Sequence, residues 1–132
     1  MDTLLDTYVK ELAEDVKVDA FNIKEVQMKI PSIKHKWVAR LVRCKQDIIK
    51  LTREREKHKK ALMTQLQKEA PTKISEFNAI KAIESTPSIK EFDEKIEECK
   101  LIIELLEKSE KTLSSMTYDI KNIVEIIKLE TT

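Results

Sequence analysis

The most regular stretch of the sequence is residues 87–130, PSIKEFDEKIEECKLIIELLEKSEKTLSSMTYDIKNIVEIIKLE. Apolar side chains recur there at spacings that alternate between three and four residues, which places them on one side of an α-helix. This pattern is typical of coiled coils and predicts one long C-terminal helix. Ten of the twelve positions of the seam are apolar: Ile89, Phe92, Ile96, Cys99, Ile103, Leu106, Leu113, Ile120, Val124 and Ile127, with Glu110 and Thr117 as the other two.

A second apolar stripe of Ile102, Met116 and Ile123 widens this face. A single narrow seam suits a dimer, whereas a wide face suits a bundle or a helix that touches two neighbours. We therefore expect coiled-coil-like packing and a homo-oligomer larger than a dimer. The predicted oligomerisation positions are Ile89, Phe92, Ile96, Ile103, Leu106, Leu113, Ile120, Val124 and Ile127.

The composition of the whole chain also favours helices. The 132 residues include no glycine, 37% are charged and only 5% are aromatic. Strand hairpins usually need glycine turns and aromatic cross-strand pairs, so the sequence predicts an all-α fold. Phosphate-binding loops also need glycine, which excludes a P-loop or dinucleotide-binding enzyme. We expect no catalytic activity and no cofactor.

Breaks in the helical pattern predict the organisation of the chain. Asn22 is a candidate cap for a second short helix, Pro31 marks a boundary or kink, and Thr86 followed by Pro87 predicts a helix start. One helical domain then has four parts: short helices over 1–30, a long basic helix over 31–70, a connector over 71–86 and the oligomerisation helix over 87–130.

The cysteines and the N-terminus bear on localisation. Cys44 and Cys99 have no partner nearby in the sequence, which suits a reducing compartment. The N-terminus is acidic, unlike a signal peptide, and no apolar run approaches the roughly 20 residues that span a bilayer. These features predict a cytoplasmic protein. His35 and His58 are not spaced from either cysteine as metal ligands are, so no metal site is expected.

Charge is distributed unevenly along the chain. Residues 31–70 hold twelve Lys or Arg against four acids, a net +8, whereas residues 1–30 carry −3 and residues 84–132 carry −5. Such asymmetry favours binding of a polyanion, or head-to-tail docking of like copies. Within the basic segment four cations recur every seven residues and span about 31 Å of helix. They are Lys36, Arg43, Lys50 and Lys57, with Arg53 and Lys60 on the adjoining track.

This basic row has two interpretations. It matches several phosphates of an extended strand, each contact releasing counterions. Alternating Lys and Glu on a helix is also common on a solvated face with weak ion pairs. Trp37 lies beside Lys36 and near Arg40, where an aromatic ring among cations suits base stacking. A lone tryptophan on an apolar face equally suits the core.

Three stretches resemble the phage UvsY recombination mediators, in the form encoded by large tailed phages of cyanobacteria. They are IPSIKHKWV at Ile30–Val38, the basic helix through Lys60-Ala61, and LSSMTYDIKNIVEI at Leu113–Ile126. DVKVD at Asp15–Asp19 fits as well. The resemblance implies a ring-like homo-oligomer, heptameric in the family. Its implied function is to load a recombinase onto single-stranded DNA coated by single-strand-binding protein, in phage recombination and repair. The implied partners are the single-stranded DNA, the recombinase and the single-strand-binding protein.

The resemblance also implies particular contact residues. The family's Lys-Trp pair matches Lys36-Trp37, and its basic DNA-contact motif falls at Lys60-Ala61, but the second basic residue expected there is Leu62. This departure moves the expected contacts upstream. The predicted DNA-binding set is Lys36, Arg40, Arg43, Lys50, Arg53, Arg55, Lys57, Lys59 and Lys60. The alternative function is a coiled-coil adaptor whose basic helix binds acidic protein partners without touching DNA.

Overall fold

A computed structural model describes residues 2–69 and 75–131, and confirms the all-α prediction. Its helices are α1 (Leu4–Asp15), α2 (Ile23–Glu69), α3 (Glu76–Glu84) and α4 (Pro87–Thr131). Within these two ranges there is no strand. None of the helices in the described part of the chain is long and apolar enough to cross a membrane.

The chain divides into two compact units, and α2 and α4 contribute to both. The first unit comprises residues 1–43 and 101–132, and the second comprises residues 44–100. Buried side chains of the first unit are Leu12, Ile30, Trp37, Ile102, Leu106, Leu113, Met116 and Ile120. Those of the second unit are Cys44, Ala79, Ile83 and Ile89.

Side-chain caps, rather than glycine, begin the shorter helices. Thr3 and Asp6 form a capping box at α1, in which the Asp6 N–H donates to Thr3 Oγ1 and the Thr3 N–H donates to Asp6 Oδ2, both at 3.2 Å. Ser75 Oγ accepts from the Asn78 N–H at the start of α3. In the described residues no backbone φ is positive, so these helix termini do not require glycine.

The turn before α2 is held by Asp19 and Asn22. Asp19 Oδ1 accepts from the N–H groups of Phe21 and Asn22 at 2.8 and 2.9 Å, and Asn22 Oδ1 accepts from the Asp19 N–H at 2.8 Å. The Asn22 carbonyl accepts from the Val26 N–H at 2.9 Å. Asn22 therefore stands at a helix start, as the sequence predicts.

Pro31 does not mark a helix boundary, so of the two outcomes that the sequence predicts there, a boundary or a kink, the boundary is wrong. It lies inside α2, which runs without interruption from Ile23 to Glu69. Proline lacks the N–H that would donate to the carbonyl of Gln27. Ile30 and Trp37 are both buried in the first unit, so their packing on either side of Pro31 offsets one missing hydrogen bond.

The predicted connector also differs from the structure. Its residues 76–84 form α3, whose Ala79 and Ile83 are buried, while residues 71–74 lie outside the described part of the chain. The four-residue apolar spacing of Ala79 and Ile83 gives this short helix a buried face. The predicted start at Thr86-Pro87 is confirmed, because α4 begins at Pro87.

Two acids of α1 hold it against two cations of α2. Lys36 Nζ lies 3.0 Å from Glu11 Oε1 and 2.6 Å from Asp15 Oδ2, and Arg40 Nη1 lies 2.6 Å from Glu11 Oε2. The Trp37 Nε1–H donates to Asp15 Oδ2 at 2.8 Å. Because these charges are partly shielded from water, each pair is stronger than a fully exposed one.

Aromatic contacts complete this junction. Trp37 is only 3% exposed and packs edge-on against Tyr8, with ring centroids 5.4 Å apart. The Arg40 guanidinium carbon lies 4.7 Å from the Trp37 ring centroid and 4.8 Å from that of Tyr8. The tryptophan is therefore a core residue that two cations cover, and its ring is not available for stacking on a base.

Restoring the missing backbone donor in α2 should stabilise the protein. We expect Pro31→Ala to raise the free energy of unfolding by up to about 3 kcal/mol, the cost of proline in a helix interior. Urea unfolding at one fixed protein concentration measures this change, because association also shifts the apparent stability. A lower urea midpoint for Pro31→Ala would show that the proline ring contributes packing that outweighs the hydrogen bond.

The junction of α1 and α2 should weaken in acid. Hydrogen bonds from Arg40 and then Lys36 hold the pKa of Glu11 below its ordinary value of 4.5. A lowered folded-state pKa means that the carboxylate stabilises the fold fully above about pH 4.5, and that this contribution is lost as the pH falls further. We expect Glu11→Gln to flatten the fall in unfolding free energy below that pH. Glu14→Gln, at an exposed site on the same helix, should keep the wild-type slope.

Candidate nucleic-acid interface

Four cations of α2 form an exposed row in the second unit, here called the basic stripe: Lys50, Arg53, Lys57 and Lys60. With about 100° of rotation per residue they fall within an arc of about 80°, over about 15 Å of helix. All four are exposed, and none forms an ion pair with another described residue. Their ammonium and guanidinium groups are therefore free to meet an anion.

The basic stripe borders an open depression of ≈ 390 Å³. Its lining residues are Gln46, Ile49, Lys50, Arg53, Glu54 and Lys57. Ile49 is 53% exposed there, so an apolar side chain, an amide and the Glu54 carboxylate accompany three of the cations. Such a surface can contact both the charged backbone and the apolar parts of an extended polyanion.

Arg55 and Lys59 of the same helix are placed differently. Arg55 Nη2 lies 2.6 Å from Glu84 Oε2, and Arg55 Nε lies 2.7 Å from Asp93 Oδ1. Lys59 Nζ lies 3.0 Å from Glu84 Oε1. Arg55 is only 15% exposed. These two cations join α2 to α3 and α4 within the second unit, and their charge is already compensated.

The titration of these groups follows from the same contacts. Hydrogen bonds to Asp93 and Glu84, against the opposing effect of burial, raise the pKa of Arg55. The hydrogen bond from Lys59, followed by that from Arg55, lowers the pKa of Glu84. Arg55 and Glu84 therefore both stay charged across the physiological pH range, and the ion pair between them persists.

Helical spacing in the sequence distinguishes the paired cations, Arg55 and Lys59, from the cations of the basic stripe. Arg55 lies four residues after Leu51, and Lys59 lies three residues before Leu62, so both cations share the side of α2 that carries half-buried leucines. The basic stripe lies on the opposite side. The identity of the acids that meet Arg55 is not visible in the sequence, because Glu84 and Asp93 are more than 25 residues away.

The remaining predicted contact residues also divide into two groups. Lys36 and Arg40 are engaged with Glu11 and Asp15 in the first unit. Arg43 is exposed and forms no ion pair with a described residue. The assignment of all nine cations to DNA stays a prediction, and the structure adds which side chains face solvent.

Many of the predicted oligomerisation residues pack inside the chain itself. Ile89, Leu106, Leu113 and Ile120 are buried, as are Ile102 and Met116 of the second stripe. The other seam positions are partly exposed: Phe92, Ile96, Ile103, Val124 and Ile127. The width of the apolar face thus serves the chain's own helices at least in part. Its role between copies stays a prediction.

No cluster suited to a metal ion occurs in residues 2–69 and 75–131. Cys44 is buried, Cys99 is partly buried, and both are free thiols. Burial raises the pKa of both, so at neutral pH they are protonated and weakly nucleophilic.

Comparison with known proteins finds a matching family and matching solved structures. A family model described as "Recombination, repair and ssDNA binding protein UvsY" matches residues 11–132. A crystal structure of the bacteriophage T4 recombination mediator protein UvsY superposes with a TM-score of 0.76 at 14% identity, covering 97% of this chain and 99% of that one. At that identity the likeness shows the fold. Among curated proteins, sequence comparison finds no match. Since the family model covers most of the sequence, the chain belongs to the UvsY family of recombination, repair and single-stranded DNA binding proteins.

Proposed function

We propose that this protein is a recombination mediator that binds single-stranded DNA along the basic stripe. In this role it helps a recombinase to load onto strands coated by single-strand-binding protein. The observation that carries the proposal is the exposed stripe itself, whose four cations lack an acidic partner among the described residues. Family membership supports the class of ligand.

The stripe suits the phosphate backbone of an extended strand, because its contacts are electrostatic and follow one helix. Four cations over about 15 Å match a few consecutive phosphates of an extended backbone. The contacts of one subunit alone are weak. Several copies in a ring-like homo-oligomer, seven by the family resemblance, would present their stripes to one strand at high effective concentration.

A mechanism follows from this arrangement. A strand held by many subunits is bent into a path set by the protein, which disfavours the extended binding of a coating protein. The recombinase then nucleates on the released segment. Glycine-dependent phosphate loops are absent from the sequence, so the proposed mediator acts by binding alone and leaves ATP hydrolysis to its partner.

The salt dependence of oligonucleotide binding tests the stripe. Removing one cation that binds a phosphate of a single strand should reduce the slope of log K against log salt concentration by about 0.7 per subunit engaged. We expect Lys57→Ala and Lys60→Ala each to reduce that slope, and the double charge reversal Lys57→Glu with Lys60→Glu to abolish binding. Fluorescence titration of a labelled oligonucleotide at several salt concentrations measures the slope.

Two control variants make this test specific. Lys121→Ala removes the same charge from an exposed site on α4 and should leave the slope unchanged. Lys59→Ala, which opens the pair with Glu84, should lower stability more than it changes the slope. Unchanged affinity after charge reversal, together with the loss of an acidic protein partner, would favour the adaptor function instead.

Association between copies has its own test. Apolar side chains remain exposed near the end of α4, among them Tyr118 (71%) and Ile126 (54%). We propose that this part of α4 contacts a neighbouring copy, and expect Ile126→Glu to lower the mass measured by sedimentation at micromolar concentration. Met28→Glu, at an exposed apolar site on α2, is the matched control and should keep the wild-type mass. A monomeric wild-type protein would contradict the oligomer.

A further inference from the structure

A second depression of ≈ 260 Å³ lies in the second unit, and neither the fold nor the basic stripe uses it. Its lining residues are His58, Ser88, Glu91, Phe92 and Lys95. His58 comes from α2 and the other four come from the first turns of α4. It thus combines two rings, a hydroxyl, a carboxylate and an ammonium group in one small space.

The two rings are held in fixed positions. The centroids of His58 and Phe92 are 5.9 Å apart with an angle of 47° between the ring planes. His58 Nε2 and Ser88 Oγ are hydrogen-bonded at 2.8 Å, which anchors the imidazole to α4. Both rings are only partly exposed. A ring already held in place loses little conformational freedom when a flat ligand stacks on it.

The polar groups around the rings suit the edge of a nucleobase. The Glu91 carboxylate accepts hydrogen bonds, and the Lys95 ammonium group donates them, with 3.4 Å between Lys95 Nζ and Glu91 Oε1. Both side chains are more than half exposed, so their hydrogen-bonding capacity is not used up inside the protein. Base edges carry both donors and acceptors, so one group of each kind serves bases of different identity.

The position of the depression connects it with the basic stripe. His58 directly follows Lys57 in α2, about 100° further round the helix. Lys50 and Lys57 are the stripe residues nearest to this direction, about 80° and 100° from His58, whereas Lys60 is about 160° away. A strand whose phosphates lie on Lys50 and Lys57 therefore runs along the side of α2 next to the depression, with its bases free to turn towards it. Stacking on aromatic side chains beside a cationic track is a general mode of binding single strands without sequence preference.

We infer that the depression between His58 and Phe92 is a nucleobase-stacking site, which takes one unpaired base of the strand held by the basic stripe. This inference rests on the proposed function, because it requires a strand on the stripe. Phe92 supplies the stacking surface, and the His58 ring borders it. Such a site favours single strands over duplex, since the bases of a duplex are paired and stacked on each other.

The test compares two labelled oligonucleotides of equal length and equal phosphate count, an oligothymidylate and a fully abasic strand. We expect the wild-type protein to bind the oligothymidylate about fivefold more tightly or better, from the usual range of base–aromatic stacking. Phe92→Leu keeps an apolar side chain but removes the ring. It should lower affinity for oligothymidylate to that for the abasic strand, and leave abasic binding unchanged.

Control variants separate this role from a structural one. Phe77→Leu removes a phenyl ring from α3 that is 74% exposed and lies outside the depression, so the preference for bases should persist. Phe92→Trp adds an emitting ring at the site, and its fluorescence should fall with oligothymidylate but not with the abasic strand. Trp37 is buried and contributes a constant background.

Three results would overturn the inference. The first is equal binding of both strands by the wild-type protein. The second is equal weakening of both by Phe92→Leu. The third is a change in the sedimented mass of Phe92→Leu, which would place Phe92 between copies. If the wild-type protein binds both strands equally with a steep salt slope, the stripe stands and only the stacking site is refuted. If neither strand binds in a salt-dependent manner, the proposed function itself fails.

Discussion

The inward cations of α2 are neutralised by acids from other helices, and the properties of the remaining surface depend on this pairing. Arg55 meets Glu84 and Asp93 in the second unit, while Lys36 and Arg40 meet Glu11 and Asp15 in the first. A partly buried cation without a partner carries a large desolvation cost, so these positions require acids close by. Once these inward cations are paired with acids, the positive charge that remains on α2 lies on its outward side.

This division gives the two sides of one helix different surroundings. Its inward charges fix which elements pack against it, because each guanidinium or ammonium group meets a particular carboxylate. Its outward charges, on the basic stripe, make no such pairs among the described residues. The stripe is exposed and borders a depression that holds the apolar side chain of Ile49. Such a surface is accessible to a polyanionic ligand.

The apolar face of α4 shows a similar division. Several of its positions, such as Ile89, Ile102 and Ile120, are buried against the chain's own helices. Its later turns keep exposed apolar residues, including Ile126. A regular heptad pattern indicates that a helix face is apolar, but it does not indicate whether the partner helix belongs to the same chain. The pattern alone therefore cannot say which positions serve folding, and the structure assigns Ile89, Ile102 and Ile120 to the chain's own packing.

The sequence by itself determined the helical class, the start of α4 at Pro87, the basic character of α2 and the family. These are local properties, set by composition, periodicity and capping residues within a few turns. The tertiary structure alone decided three other matters: α2 continues through Pro31, Trp37 is covered by Lys36 and Arg40, and Arg55 and Lys59 are paired. The last two depend on acids that are distant in the chain from the cations they pair with, Glu11 and Glu84 among them. A charge in a sequence is a fixed quantity, but its freedom to bind a ligand depends on which opposite charge the fold brings to it.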